Sequence, residues 1–185
     1  MQHKDTEGNH MRSLRKRCFF IACCATLLLF GCRTQRDEVH EIKHYPLDTL
    51  DGIITRSGIT LDREISSDQR GSLRITTNSP TTVLLYQTGD ISIDNARLIY
   101  QAKLRTAEVK GQVYLEMWCH FPGKGAFFSR ALHAPLTGTT EWTSQETPFF
   151  LKKGDDPDDI KLNLVINGTG TVWIDDVRLI KGPLQ

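Results

Sequence analysis

The chain predicts an all-β domain with one packed core, a sandwich or barrel of short strands. Three observations carry this. The composition, 185 residues with 39% hydrophobic and 24% charged side chains, suits a single globular domain. Runs rich in Val, Ile, Leu, Thr and aromatic residues recur at about 59–65, 72–78, 82–87, 97–106, 111–121, 126–132, 142–150, 160–166 and 171–180, separated by Gly, Pro, Asn and Asp clusters with no intervening helical period. Pro80, Pro122, Pro135 and Pro157 fall between these runs or at their ends, where a missing N–H costs no ladder bond.

The N-terminus is an address rather than part of this fold. From Met11 the chain reads MRSLRKR and then an apolar run from Cys18 to Gly31, too short to span a bilayer comfortably as a mature helix. It reads as a cleavable export signal over residues 1–31, with translation starting at Met1 or Met11; a retained signal anchor is the competing reading. Leu29-Phe30-Gly31-Cys32 resembles the lipobox of bacterial lipoproteins, which implies lipidation of Cys32 and cleavage before it. Several acyl chains on one cysteine meet the two-signal condition for stable anchoring in a membrane. In lipoproteins that sort by the next position, a residue other than Asp, here Arg33, points to the bacterial outer membrane.

Charge and cysteine usage agree with an exported product. The formal charge is +1, and residues 1–31 hold five bases and two acids, so the body is mildly acidic and nothing argues for nucleic acid. Of five cysteines, Cys18, Cys23 and Cys24 leave with the signal and Cys32 is acylated, so Cys119 has no disulfide partner. Its place in the alternating run Val113, Leu115, Met117, Cys119 reads as a small buried hydrophobe.

Residues 32–57, mixed polar and turn-rich, read as the lipidated cysteine and a tether, with the globule spanning 58–182. Ile160, Leu162, Leu164 and Ile166 fall on one strand face; Leu98, Tyr100, Ala102 and Leu104 oppose Gln101, Lys103 and Arg105. In 111–121 the inward row Val113, Leu115, Met117, Cys119 turns Gln112, Tyr114, Glu116, Trp118 and His120 outward. Asn167-Gly168-Thr169-Gly170 reads as a tight hairpin joining the last two strands.

The stretch Trp142, Pro148-Phe149, Gly154, Pro157, Ile160-Lys161-Leu162, then Gly168-Thr169-Gly170-Thr171-Val172-Trp173-Ile174-Asp175-Asp176-Val177-Arg178-Leu179 resembles the end of galactose-binding-like jelly rolls, especially carbohydrate-binding modules of the family 4/9 type. Asp68-Gln69-Arg70-Gly71-Ser72-Leu73 resembles the turn into their early strands. The resemblance covers about 58–180 and implies a two-sheet antiparallel jelly-roll β-sandwich, with Trp142 and Trp173 in its core. It also implies one structural calcium ion held by oxygen ligands. Asp175 or Asp176 would supply the acid of the final strand, and Asp62, Glu64 and Asp68 the early-strand partners; the alternative is that Asp175 hydrogen-bonds neighbouring backbone.

Sugar binding needs flat aromatic faces for the apolar sides of pyranose rings, with amides, carboxylates or guanidinium groups for the hydroxyls. Tyr114, Glu116, Trp118 and His120 supply that mixture on one strand face. Gln101, Lys103 and Arg105 on a neighbouring strand extend it, and Phe121, Phe127 or Phe128 form a rim; alternatively Tyr114 and Trp118 are core under a loop or the tether. Catalysis finds little support: Glu116 and His120 lie roughly 13 Å apart by strand rise, too far for a direct acid/base couple. No G-x-S-x-G, Walker loop or dinucleotide fingerprint occurs. The Asp-rich run 154–159 lacks EF-hand spacing and reads as a solvated turn. The sequence therefore points to a non-catalytic, lipid-anchored β-sandwich that binds glycans or another envelope component; the alternative is a lipoprotein that docks a protein partner.

Overall fold

The two most regularly alternating regions of the sequence become its two longest strands, of 26 and 24 residues. The computed structural model describes residues 39–89 and 91–184. The strands are β1 (His40–Tyr45), β2 (Ile59–Asp62), β3 (Ser72–Thr77), β4 (Thr81–Thr88), β5 (Ala96–Phe121), β6 (Gly125–Arg130), β7 (Leu136–Leu151) and β8 (Asp159–Gly182). Every pairing is antiparallel, and no helix occurs among the described residues.

The β5/β8 ribbon is the spine. It pairs almost continuously from Arg97↔Gly182 to His120↔Asp159 and bends midway, so the fold is a jelly-roll β-sandwich of two layers. The second half of β5 and the first half of β8 lie between β6 and β4 in a front layer. The first half of β5 and the second half of β8 lie between β7 on one side and β1 and β3 on the other, with β2 beside β3, in a back layer. Inward side chains of both layers belong to a single hydrophobic core, including Leu98, Tyr100, Leu104, Leu115, Met117, Leu162, Leu164, Ile174 and Leu179.

Two β-bulges keep the apolar row inside. On β5 an extra residue between Ala107 and Lys110, with Glu108 at φ +54°, switches the buried positions from even (Leu98 to Thr106) to odd (Val109 to Phe121). On β8 the residue at φ +52° is Asp176, and burial switches from Ile174 to Val177.

Three expectations are corrected. Runs 97–106 and 111–121 are one strand, as are 160–166 and 171–180, so Asn167–Gly170 is a corner rather than a hairpin. Gly168 lies against Gly111 of β5, and a Cβ would stand 1.9 Å from Lys110 O at Gly168 and 2.1 Å from Asn167 O at Gly111. The backbones of the bent ribbon approach too closely there for any side chain. Residues 40–57, read as tether, belong to the domain: β1 pairs with β8, and Leu47 and Ile53 are buried in the core. Charges on the outer side hold β1, with Arg178 Nη1 3.0 Å from Glu41 and His44 Nε2 2.8 Å from Asp176. Residues 1–31, Cys32 and Arg33 lie outside the described residues.

Candidate functional site

The outer face of the front layer carries the row that alternation turned outward. Cross-strand register sets Ala126, His120 and Asp159 side by side, then Phe128, Trp118 and Lys161, then Arg130, Glu116 and Asn163, with Tyr114 opposite Val165. Trp118 and Phe128 rings lie 5.0 Å apart at 52°, and the Arg130 guanidinium stands 4.2 Å from the Phe128 centroid. Trp118, His120, Ala126, Asp159 and Lys161 line a shallow pocket of about 130 Å³.

Glu116 organises this shelf. Only 5% exposed, it accepts hydrogen bonds from Trp118 Nε1 (2.7 Å), Asn163 Nδ2 (2.9 Å) and Arg130 Nε. Burial pushes its carboxyl up, but those three donors and the Arg130 charge outweigh it and hold the group below its ordinary value. A carboxylate so placed is a fixed anchor for the indole. His120 Nδ1 donates to Asp158 across 2.6 Å, and Lys161 Nζ lies 3.9 Å from Asp159.

Of the residues expected to bind ligand, Trp118 and His120 are half-buried and border the pocket, whereas Tyr114, 9% exposed, packs with the core. Gln101 and Arg105 are not on a neighbouring strand. They lie on the other half of β5, beyond the corner, in the back layer, where Gln101 reaches Glu146 and Arg105 reaches Glu141, each at 3.4 Å. Phe128, 50% exposed, borders the shelf as expected; Phe127, equally exposed, stands opposite Cys119 on the other face of β6 and meets the buried Phe121 edge-on, so neither Phe127 nor Phe121 belongs to the rim. Trp142 is half-exposed rather than core; Trp173 is buried on the outward side, its indole donating to Asp62 and flanked by Arg74 and Arg105. Asn163, Arg130, Lys161 and Asp159 join the site only through register, which no single stretch of sequence displays.

The five candidate calcium ligands do not form one ligand set. Asp175 is fully buried, and burial pushes its carboxyl up although its oxygens accept from Ser67 N and Asp176 N, each at 2.8 Å. Asp176 is taken by His44, Arg178 and Lys103. Asp62 accepts from Trp173 Nε1 and from the Glu64 and Ile65 amides, and Asp68 from Arg70. Glu64 is exposed. Among the described residues no group of three His, Cys, Asp or Glu side chains is placed to hold a metal ion.

No protein-family model matches the chain, and no curated protein matches it. Solved structures do. The CBM22-1 xylan-binding domain of Xyn10C from Paenibacillus barcinonensis superposes with a TM-score of 0.58 at 9% identity, over 80% of this chain and 97% of that one. A xylan-binding domain from CBM 22 gives 0.52 at 12% identity over 75% and 93%, and a family 16 carbohydrate-binding module gives 0.52 at 12% over 70% and 91%. At such identity the likeness is one of fold, and the fold of this chain is the β-sandwich of carbohydrate-binding modules.

Proposed function

We propose that this chain is a non-catalytic glycan-binding module, anchored in the bacterial outer membrane through acylated Cys32, and that its ligand lies on the Trp118–Phe128 shelf. The observation that carries the reading is the pair of tilted, water-facing rings bordered by His120, Asp159 and Lys161. Aromatic faces take the apolar side of a sugar ring while the polar rim replaces water at its hydroxyls. The paired state of the charges supports binding over catalysis. Glu116, held ionised by three donors, has no proton to give near neutral pH, and His120 is committed to Asp158. The sequence resemblance to family 4/9 modules and the fold likeness to xylan-binding domains favour a polysaccharide, and xylan is the first to offer.

The test is a glycan array, with xylan included, probed by the full chain in detergent and by Trp118→Ala and Phe128→Ala variants. Binding by the parent and its loss in variants that melt normally is expected. A blank array, or undiminished binding by both folded variants, overturns the reading.

A further inference from the structure

Two arginines on the outer face of the back layer carry charge that the fold itself leaves almost unpaired. Trp173 of β8 is in register with Arg74 of β3 on one side and Arg105 of β5 on the other, and Thr60 of β2 lies opposite Arg74, so one row crosses four strands. The two guanidiniums stand over the Trp173 ring, 5.6 and 5.9 Å from its centroid, and roof the indole, which is 7% exposed. The nearby acids are committed elsewhere or held loosely. Asp62 accepts from the indole N–H on one oxygen and from the Glu64 and Ile65 amides on the other. Glu141, its side chain 81% exposed, meets Arg105 through one contact of 3.4 Å. Arg74 is exposed and has no ion pair among the described residues. In the next row the Thr76 and Thr171 hydroxyls lie 3.0 Å apart and face water.

We propose that this row is a second binding site, on the layer opposite the Trp118 shelf, for the carboxylates of an acidic polysaccharide, with Arg74 and Arg105 as its anion-binding residues. Like charges gathered at one ring repel each other, and an oxyanion beside them removes that cost while each guanidinium offers it a planar fork of N–H donors. Contact with the indole restrains both side chains before a ligand arrives, so less ordering entropy is lost on binding. The roofed indole has no face left for the apolar side of a sugar, so charge rather than stacking selects this ligand, and the threonine hydroxyls meet its neutral groups. The row lies about 30 Å along β8 from Gly182. That far end is where the chain enters β1 from the side of Cys32, so a dissolved polymer fits the row better than the headgroups of a membrane holding that cysteine. The choice of a glycan as the carrier of the carboxylates rests on the reading above; the anion site itself does not.

The experiment is an affinity measurement on the full chain in neutral detergent, with polygalacturonate and its methyl-esterified form as probes. Parent, Arg74→Ala, Arg105→Ala, an Arg74→Lys/Arg105→Lys double variant and Trp118→Ala are compared, each checked by a thermal melt. The parent should prefer the acid polymer to the ester by about tenfold or more, and each alanine variant should lose about tenfold in affinity for the acid form. The lysine variant keeps both charges and stems, so it serves where an alanine variant melts early; lacking the forks, it should bind severalfold more weakly than the parent. Trp118→Ala should bind the acid polymer as the parent does, so the result stands even if the shelf proves to bind no neutral glycan. Equal binding of acid and ester, undiminished binding by the folded arginine variants, or loss in Trp118→Ala with the arginine variants intact overturns the inference. Inorganic polyphosphate held as tightly through the same arginines overturns the choice of a glycan and leaves a general polyanion strip.

Discussion

Glu116→Gln tests whether the shelf is held by a buried charge. The change keeps shape and removes the negative charge that receives Trp118, Asn163 and Arg130. A hydrogen bond to a charged group is worth about 1.5–3 kcal/mol net. The glutamine carbonyl keeps one or two of the three bonds at neutral strength, while its NH₂ faces donors. Arg130 is 35% exposed and can be rehydrated, so the cost of leaving it unpaired stays well below that of a fully buried ion. The expected loss is about 2–3 kcal/mol near neutral pH, a fall in Tm of roughly 4–12 °C for a domain of this size. The sign in pH follows from linkage. The folded-state pKa of Glu116 lies below the ordinary 4.5, so its contribution is complete above that value and is lost as pH falls through the folded-state value. Asp62, Asp68, Asp155 and Asp176 are also held low and add acid sensitivity common to parent and variant, so the difference between the two melts isolates Glu116. That difference should be largest near pH 7 and shrink as the pH falls below 4.5 and through the folded-state value. A gap that does not change with pH, or none at any pH, would refute the charge-centred account.

Tyr114→Ala should cost about 3–5 kcal/mol in a denaturant melt, because it empties a site packed with the core beside Val165; a loss under about 1 kcal/mol would return Tyr114 to the shelf. Cys119 is fully buried and its thiol pKa is pushed up to about 12 by burial and by Asp159, so its peptide should stay unalkylated in the native chain and label on unfolding. Rapid native labelling would contradict that burial. Gly168→Ala should cost about 3 kcal/mol or more or abolish folding, since its Cβ would collide with Lys110 O, whereas Gly123→Ala, with nothing within 4 Å, should cost only the strain of its positive φ.

Alternation made the core legible, and it failed wherever the meaning of a residue depends on a distant partner. The inward rows of 98–104, 113–119 and 160–166 are all buried as their period implies. The corner was illegible because Asn167-Gly168-Thr169-Gly170 has the composition of a hairpin; its identity as a bend rests on Gly111, 57 residues away in sequence and directly opposite in register. The first strand was illegible for another reason. His40–Tyr45 has one central aliphatic residue, Ile42, and is held in part by Glu41 and His44 meeting Arg178 and Asp176, contacts that have no local signature. The placement of Gln101 and Arg105 followed from the same blind spot: once 97–106 and 111–121 are one strand bent over the core, their outward residues face opposite ways out of the sandwich.

The shelf itself joins a buried half to an exposed half. Tyr114, Glu116 and Trp118 alternate on one outward row, and sequence gives them equal standing, yet Asn163 and Arg130 cover the middle of the row and leave its end open. The covered Glu116 fixes the indole from behind, and Phe128 fixes it from the side while Arg130 stacks on Phe128 and bonds back to Glu116. This closed circuit restrains the ring that would receive a sugar before any sugar arrives. Much of the ordering entropy that binding would otherwise cost is then met during folding. Lys161 and His120 stand half-exposed at the rim, where a ligand's hydroxyls would meet them while Trp118 stays where Glu116 holds it.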